Sequence, residues 1–248
     1  MASNRPCNFE RHSTLVLIGS LQPYVILLVG SIGIFGAFMS VCADLFSGWS
    51  NAPNQMHTAL SIEIDSIRGL YLEKPRWTFV LGTYLGVLFI PLQLPGFWLV
   101  SKAIEPAGKI KARVFLFGAI YVIALGAGFH GTFAFIGDTI QSGDEPLLKQ
   151  FLPYWSHWGL VVIAGYLVLC TFLLGLILTN RTLYPRWSSL LTPIPVLFLT
   201  GLLTITLPET AYGARAFFTV TGLNLPIVLL LTYTTWHLRN LASAEKSP

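Results

Sequence analysis

The 248-residue chain is 54% hydrophobic and only 10% charged, where a soluble domain carries about 25% charged residues. That composition, with a mean hydropathy of +0.66, excludes an ordinary water-soluble globule. Its 15 Lys and Arg against 11 Asp and Glu form no basic block interleaved with aromatics, so no nucleic-acid partner is expected.

At roughly 20 apolar residues per crossing, the chain has room for about six spans and short loops. The expected fold is all-α, a polytopic transmembrane helix bundle in a single domain over 1–248. Residues 1–12 are polar, with Arg5 and Arg11, and show no lipid-anchor motif. The apolar stretch from Ser13 to Ala43 exceeds the ~7–15-residue core of a cleaved signal and reads as an uncleaved first span. Spans are expected over 24–46, 77–100, 114–137, 157–178, 187–207 and 216–237. Trp and Tyr cluster near their edges, as they do where lipid meets water. The loop 48–76 is the one long connection; its 56–72 stretch fits an amphipathic helix or a strand capping the bundle mouth, and such loops often act as lids.

With both termini cytoplasmic, ten of the 15 Lys and Arg fall on the cytoplasmic side, as the positive-inside rule asks. The acidic residues gather on the opposite face. Cys7, Cys42 and Cys170 are far apart and form neither a disulfide framework nor a zinc motif.

On the first span, Gly33, Ala37, Ser40 and Asp44 recur at three-to-four spacing and share one helix face. Small residues allow close helix packing in lipid, so this stripe is expected to turn Asp44 toward the bundle interior; hydration of Asp44 at the interface is the alternative. The third span carries Gly126, Gly128, His130, Gly131 and Asp138. An ionisable group within a span is costly and marks a candidate site; His130 otherwise reads as a neutral ring bonded to a carbonyl or hydroxyl. His130 and Asp138, about 12 Å apart along the helix, are expected on adjacent walls of one cavity without touching. His157, Glu209 and Arg215 extend the constellation on the same side.

Pro91 and Pro95, Pro193 and Pro195, and Pro226 interrupt the second, fifth and sixth spans. Each removes a backbone hydrogen bond and kinks its helix. The freed carbonyls, with Gln93, Thr192 and Asn224, place polar groups at membrane depth, where irregular backbone lies against protein or a cavity; kinks that merely aid packing are the plainer reading. No His, Asp or Glu pair falls at helical metal-ligand spacing, so no metal is expected, and no cofactor fingerprint is present.

These residues support two classes of function. One is a membrane-embedded enzyme acting on a lipophilic small molecule. Asp44 and Asp138 would be its acids, His130 or His157 its proton acceptor, and Phe129, Phe133, Trp155 and Trp158 its aromatic wall, with Glu209, Arg215 and Asn224 beside the substrate. The other is a non-catalytic carrier or lipid-binding protein.

Ala43-Asp44-Leu45, the segment Tyr84 to Leu92, His130-Gly131, Tyr184-Pro185-Arg186-Trp187 and Gly222-Leu223-Asn224-Leu225 resemble landmarks of an uncharacterised multi-span membrane family. That resemblance implies the bundle and no particular reaction. In size and span count the chain is also similar to small membrane-bound terpene cyclases of meroterpenoid pathways. This second likeness is one of architecture and implies acid-initiated cyclisation or isomerisation of an isoprenoid.

Overall fold

The computed structural model describes residues 22–49, 68–69, 71–208 and 212–244. Most of the expected lid and Glu209 lie outside the described residues. Nine α-helices are described: α1 (Pro23–Gly48), α2 (Arg76–Phe89), α3 (Leu94–Ile104), α4 (Lys109–His130), α5 (Phe133–Ser142), α6 (Glu145–Leu178), α7 (Pro193–Thr206), α8 (Tyr212–Thr221) and α9 (Leu225–Ala244). No strand occurs among the described residues.

Four units are long and apolar enough to cross a membrane: α1, α2 continued through α3 (Arg76–Ala107), α4 continued through α5 (Lys109–Ser142), and α6. They correspond to the first four expected spans. The last two expected spans differ. The fifth opens with a 3-10 turn at Arg186–Leu191 and leaves α7 only 14 residues, about 21 Å at ~1.5 Å per residue against a hydrocarbon core of about 30 Å. The sixth is split at 222–224 into α8 and α9. Pro226 explains that break, because its ring and missing N–H prevent the helix from running through it.

Proline shapes the second span in the same way. Pro91 lies in a 3-10 turn, Ile90–Gln93, between α2 and α3, and this turn sets Gln93 in the interior at 1% exposure. The small face of α1 lies against the turn. A Cβ on Gly33 would stand 2.6 Å from the Gly96 nitrogen, and one on Gly36 2.7 Å from the Leu92 carbonyl carbon, so the backbones touch as small residues allow.

The loop from α5 to α6 follows its sequence cues. Gly143 takes the left-handed conformation (φ 71°) that ends α5. Asp144 then caps α6 by accepting from the Leu147 N–H at 3.0 Å. At the far end of α6, Asn180 (φ 57°) makes a similar left-handed stop. Beyond it, the Leu183 N–H donates to Ala103 O at 2.8 Å, and Tyr184 stacks on Tyr233 and His237, fastening this loop to α3 and α9.

The core runs through α1, α3, α4, α6 and α9 and includes Ile26, Leu99, Ile104, Phe115, Leu173 and Leu231. Outward faces are also apolar: Leu28, Phe35, Leu88, Phe117, Val168 and Phe198 are each at least half exposed. Soluble monomers rarely carry so much contiguous exposed apolar surface. It suits contact with membrane lipids.

Candidate functional site

A cavity of about 640 Å³ lies within the bundle, inside the ~300–1,000 Å³ range of small-molecule sites. Its walls come from α1, α4, α6 and α7, and from the two interrupted segments at Ile90–Gln93 and 222–224. Most of the lining is aliphatic or aromatic. The polar groups concentrate in one network.

Asp44 is the centre of that network. The Asn224 side-chain N–H donates to Asp44 Oδ2 at 2.8 Å, and His130 Nε2 lies 3.3 Å from Asp44 Oδ1. Gln93 donates to Ser40 Oγ at 2.9 Å and approaches Asn224 Oδ1 at 3.3 Å; the Ser40 hydroxyl donates in turn to Gly36 O. Side chains of Asp44 and His130 are only 12% and 8% exposed. Burial of the carboxylate is tolerable because Asn224 donates to one oxygen and a His130 ring nitrogen lies beside the other.

His130 owes its position to Gly86 on α2. A Cβ at residue 86 would fall 2.3 Å from His130 Nδ1, so the ring occupies the space that a side chain would fill. Nδ1 has no hydrogen-bond partner among the described residues. An unpaired acceptor costs less than an orphaned N–H donor, so the geometry assigns the proton to Nε2, donating toward Asp44, and leaves Nδ1 as the bare nitrogen.

An aromatic wall adjoins this pair. Phe133 meets the His130 ring edge-on at 4.8 Å between centroids; Phe129 lies 5.0 Å from Phe133 and 5.3 Å from Trp155. Trp155 Nε1, Ser156 Oγ and Ser47 Oγ are buried without partners among the described residues, and all three residues line the cavity. Most buried polar atoms find partners. Several unpaired ones around a single hollow point to a ligand that would satisfy them.

The structure therefore brings together Asp44, His130, Asn224, Phe129, Phe133 and Trp155. It separates Asp138 from them, correcting the expected shared cavity. The turn at Gly131 and Thr132 divides α4 from α5, and α5 buries Ile136, Gly137, Thr139 and Ile140. Asp138 instead forms a two-pronged pair with Arg76, at 2.7 and 2.9 Å. Both partners are exposed, so solvent screens the pair and it adds little to stability. His157 is exposed on α6 and absent from the cavity wall. Trp158 is also outside the wall, its Nε1 donating to Leu125 O at 3.2 Å. The Arg215 side chain lies outside the described residues. Among the described residues no group of three or more His, Cys, Asp or Glu is placed to hold a metal.

Sequence reasoning passed over Tyr166. Its hydroxyl donates to Leu223 O at 2.9 Å, a carbonyl exposed by the break before α9, and it lines the cavity beside Cys170, one turn along α6. A lone Tyr in the middle of an otherwise aliphatic span was the available signal, since a phenol at that depth requires a partner.

At the cavity rim, Tyr71 is buried and Lys74 donates to Ser47 O and Trp49 O, both at 2.8 Å, closing the C-terminal end of α1. Burial lowers the Lys74 ammonium from 10.5 to about 8. Between those two values the unfolded chain binds more protons than the folded one. This group's contribution to stability therefore rises with pH from about 8 to 10.5 and is flat below that window. In detergent, the Tm of the wild type relative to Lys74→Gln should rise with pH through this window; a difference that stays constant with pH would contradict the assignment.

A sequence profile of a family of unknown function, DUF6796, matches residues 22–236, a range that contains the whole Asp44 network. No curated protein and no solved structure matches the chain, and the likeness to terpene cyclases gains no support from these comparisons.

Proposed function

The chain belongs to this family, and from the geometry of its cavity we propose a multi-pass membrane-embedded enzyme that moves a proton on a lipophilic small molecule. The observation that carries this reading is a carboxylate that accepts from Asn224 and faces His130 Nε2 in the wall of a largely apolar cavity. An accepting carboxylate beside a greasy ligand is the arrangement of a general base. Asp44 takes a proton from an activated C–H of the ligand and returns it to a second carbon, giving an isomer of unchanged mass. His130 and Asn224 hold the carboxylate in place and bear its charge. The aromatic wall favours a second direction of transfer. Asp44, protonated from solvent, gives its proton to an olefin or epoxide, and the faces of Phe129, Phe133 and Trp155 stabilise the resulting cation while a second olefin closes the ring. The Asp44 carboxylate then takes a proton from the neighbouring carbon.

The distribution of Lys and Arg supports cytoplasmic placement of both ends, and any even number of crossings puts the termini on one side. No cofactor enters the scheme.

The test incubates purified protein in deuterated buffer with a panel of prenylated phenols and isoprenoid epoxides. Products isomeric with the substrate, apart from any solvent deuterium they carry, support the enzyme; a migrated double bond without a new carbocycle identifies isomerisation, and a new carbocycle identifies cyclisation. Recovery of every compound chemically unchanged, with some retained by the protein, would instead make it a carrier or lipid-binding protein.

A further inference from the structure

We infer that the cavity is filled sideways from the hydrocarbon layer through a slot between α6 and α7, and that its ligand is a lipophile with a long apolar tail trailing through that slot. The inference rests on the cavity being a ligand site, as proposed above, and adds its route of entry and the shape of its occupant.

Side chains that line a cavity and are also exposed mark the edge of an opening. On α6, Leu160, Ile163 and Leu167 are 49%, 38% and 41% exposed and belong to the cavity wall; on α7, Ile205 is 79% exposed and does the same. Beside two glycines of the wall the space is open. A Cβ on Gly201 of α7 would meet nothing within 4 Å, nor would one on Gly126 of α4, and both glycines line the cavity.

Depth decides what the slot faces. Residues 160–167 occupy the middle of the 34-residue α6, far from either end where water would be. Chemistry agrees with depth. The wall residues of α7, Leu197, Thr200, Gly201, Thr204 and Ile205, recur at one-face helical spacing. Thr200 and Thr204 spend their hydroxyls on Leu197 O and Thr200 O of their own helix, at 3.0 and 2.9 Å, so the rim offers hydrocarbon to an entering molecule. Polar groups gather instead at Asp44, His130, Asn224 and Gln93. A molecule arriving through this opening is dissolved in lipid, presents its polar or unsaturated end to Asp44, and needs no polar group along its tail.

Photolabelling in phosphatidylcholine vesicles containing a diazirine-bearing hexadecanol tests the route. Wild-type protein should be labelled within 126–133 and 155–163, the inner walls, as well as on outward Phe35 and Val168. Gly201→Trp, placed where a side chain has room, should cut inner labelling by about tenfold, equivalent to about 1.4 kcal/mol of occupancy, and leave the outward sites unchanged. Ile205→Ala, which widens the rim, should raise it. Inner labelling that is absent from the wild type or indifferent to Gly201→Trp would overturn the inference. So would Ile205→Cys cross-linking two copies across an unlabelled slot. Asp44→Asn should be labelled like the wild type. Absence of chemistry in the wild type, with its labelling pattern intact, would end the enzyme reading and leave the sideways route standing.

Discussion

Asp44→Asn should slow product formation by about 10²–10⁴-fold, the usual contribution of a positioned acid–base group, and His130→Gln, which disturbs the group that holds Asp44, should slow it by less. Gln retains an N–H donor and Asn retains the volume of Asp, so both variants keep the packing of the pair, while only Asp44→Asn removes the proton-accepting group. The reason for expecting a large effect is geometric. Asp44 Oδ1 and His130 Nε2 are 3.3 Å apart and nearly shut off from water, so nothing nearby substitutes for either group. Groups that act as a unit lose their joint contribution once one is removed. The double variant should therefore be no slower than the slower single variant. The rate of product formation measures all four proteins, and inner-wall photolabelling shows that each still takes up a lipophile. Wild-type turnover in either single variant would remove the chemistry from this pair.

Gly86→Ala is expected to be both less stable and inactive, although residue 86 carries no functional group. Its new Cβ would lie 2.3 Å from His130 Nδ1, well inside van der Waals contact. The ring has to leave Asp44, or α2 has to move away from α4. Such overpacking costs about 1–3 kcal/mol, and each kcal/mol lowers Tm by roughly 2–4 °C in a chain of this size. Loss of the Asp44 contact removes turnover as well. A second substitution separates the two effects: adding His130→Ala frees the space, so the double variant should be no less stable than Gly86→Ala alone, yet still inactive. Gly86→Ala with a wild-type Tm and wild-type turnover would show that the ring is not confined as described.

Much of the bundle can be read along the chain. Continuous apolar runs of the first four spans leave no option but helix, because lipid supplies no partners for an unpaired backbone. The stripe Gly33, Ala37, Ser40 and Asp44 likewise shows its inward face, since its spacing matches the helical repeat. Prolines at 91 and 226 mark where polar side chains come to the interior, and Gln93 and Asn224 both join the site. The same cues misplace Asp138. Its position on an ideal continuous helix sets it above His130, but the turn at Gly131 and Thr132 begins a new helix whose buried face excludes it. Hydropathy also treats the 187–207 and 216–237 stretches as unbroken helices, because averaging over a window hides a 3-10 turn or a three-residue break.

Local patterns thus establish helix, an inward face and a set of polar residues at membrane depth, since each depends on neighbours within a few turns. Which of those residues meet depends on contacts between segments far apart in the chain. Asn224 reaches Asp44 across 180 positions, and His130 reaches it only because Gly86, on a third helix, leaves room for the ring. Packing in three dimensions chose Asp44 over Asp138 and opened the hollow beside it, because an empty volume arises from side chains that several helices leave out together.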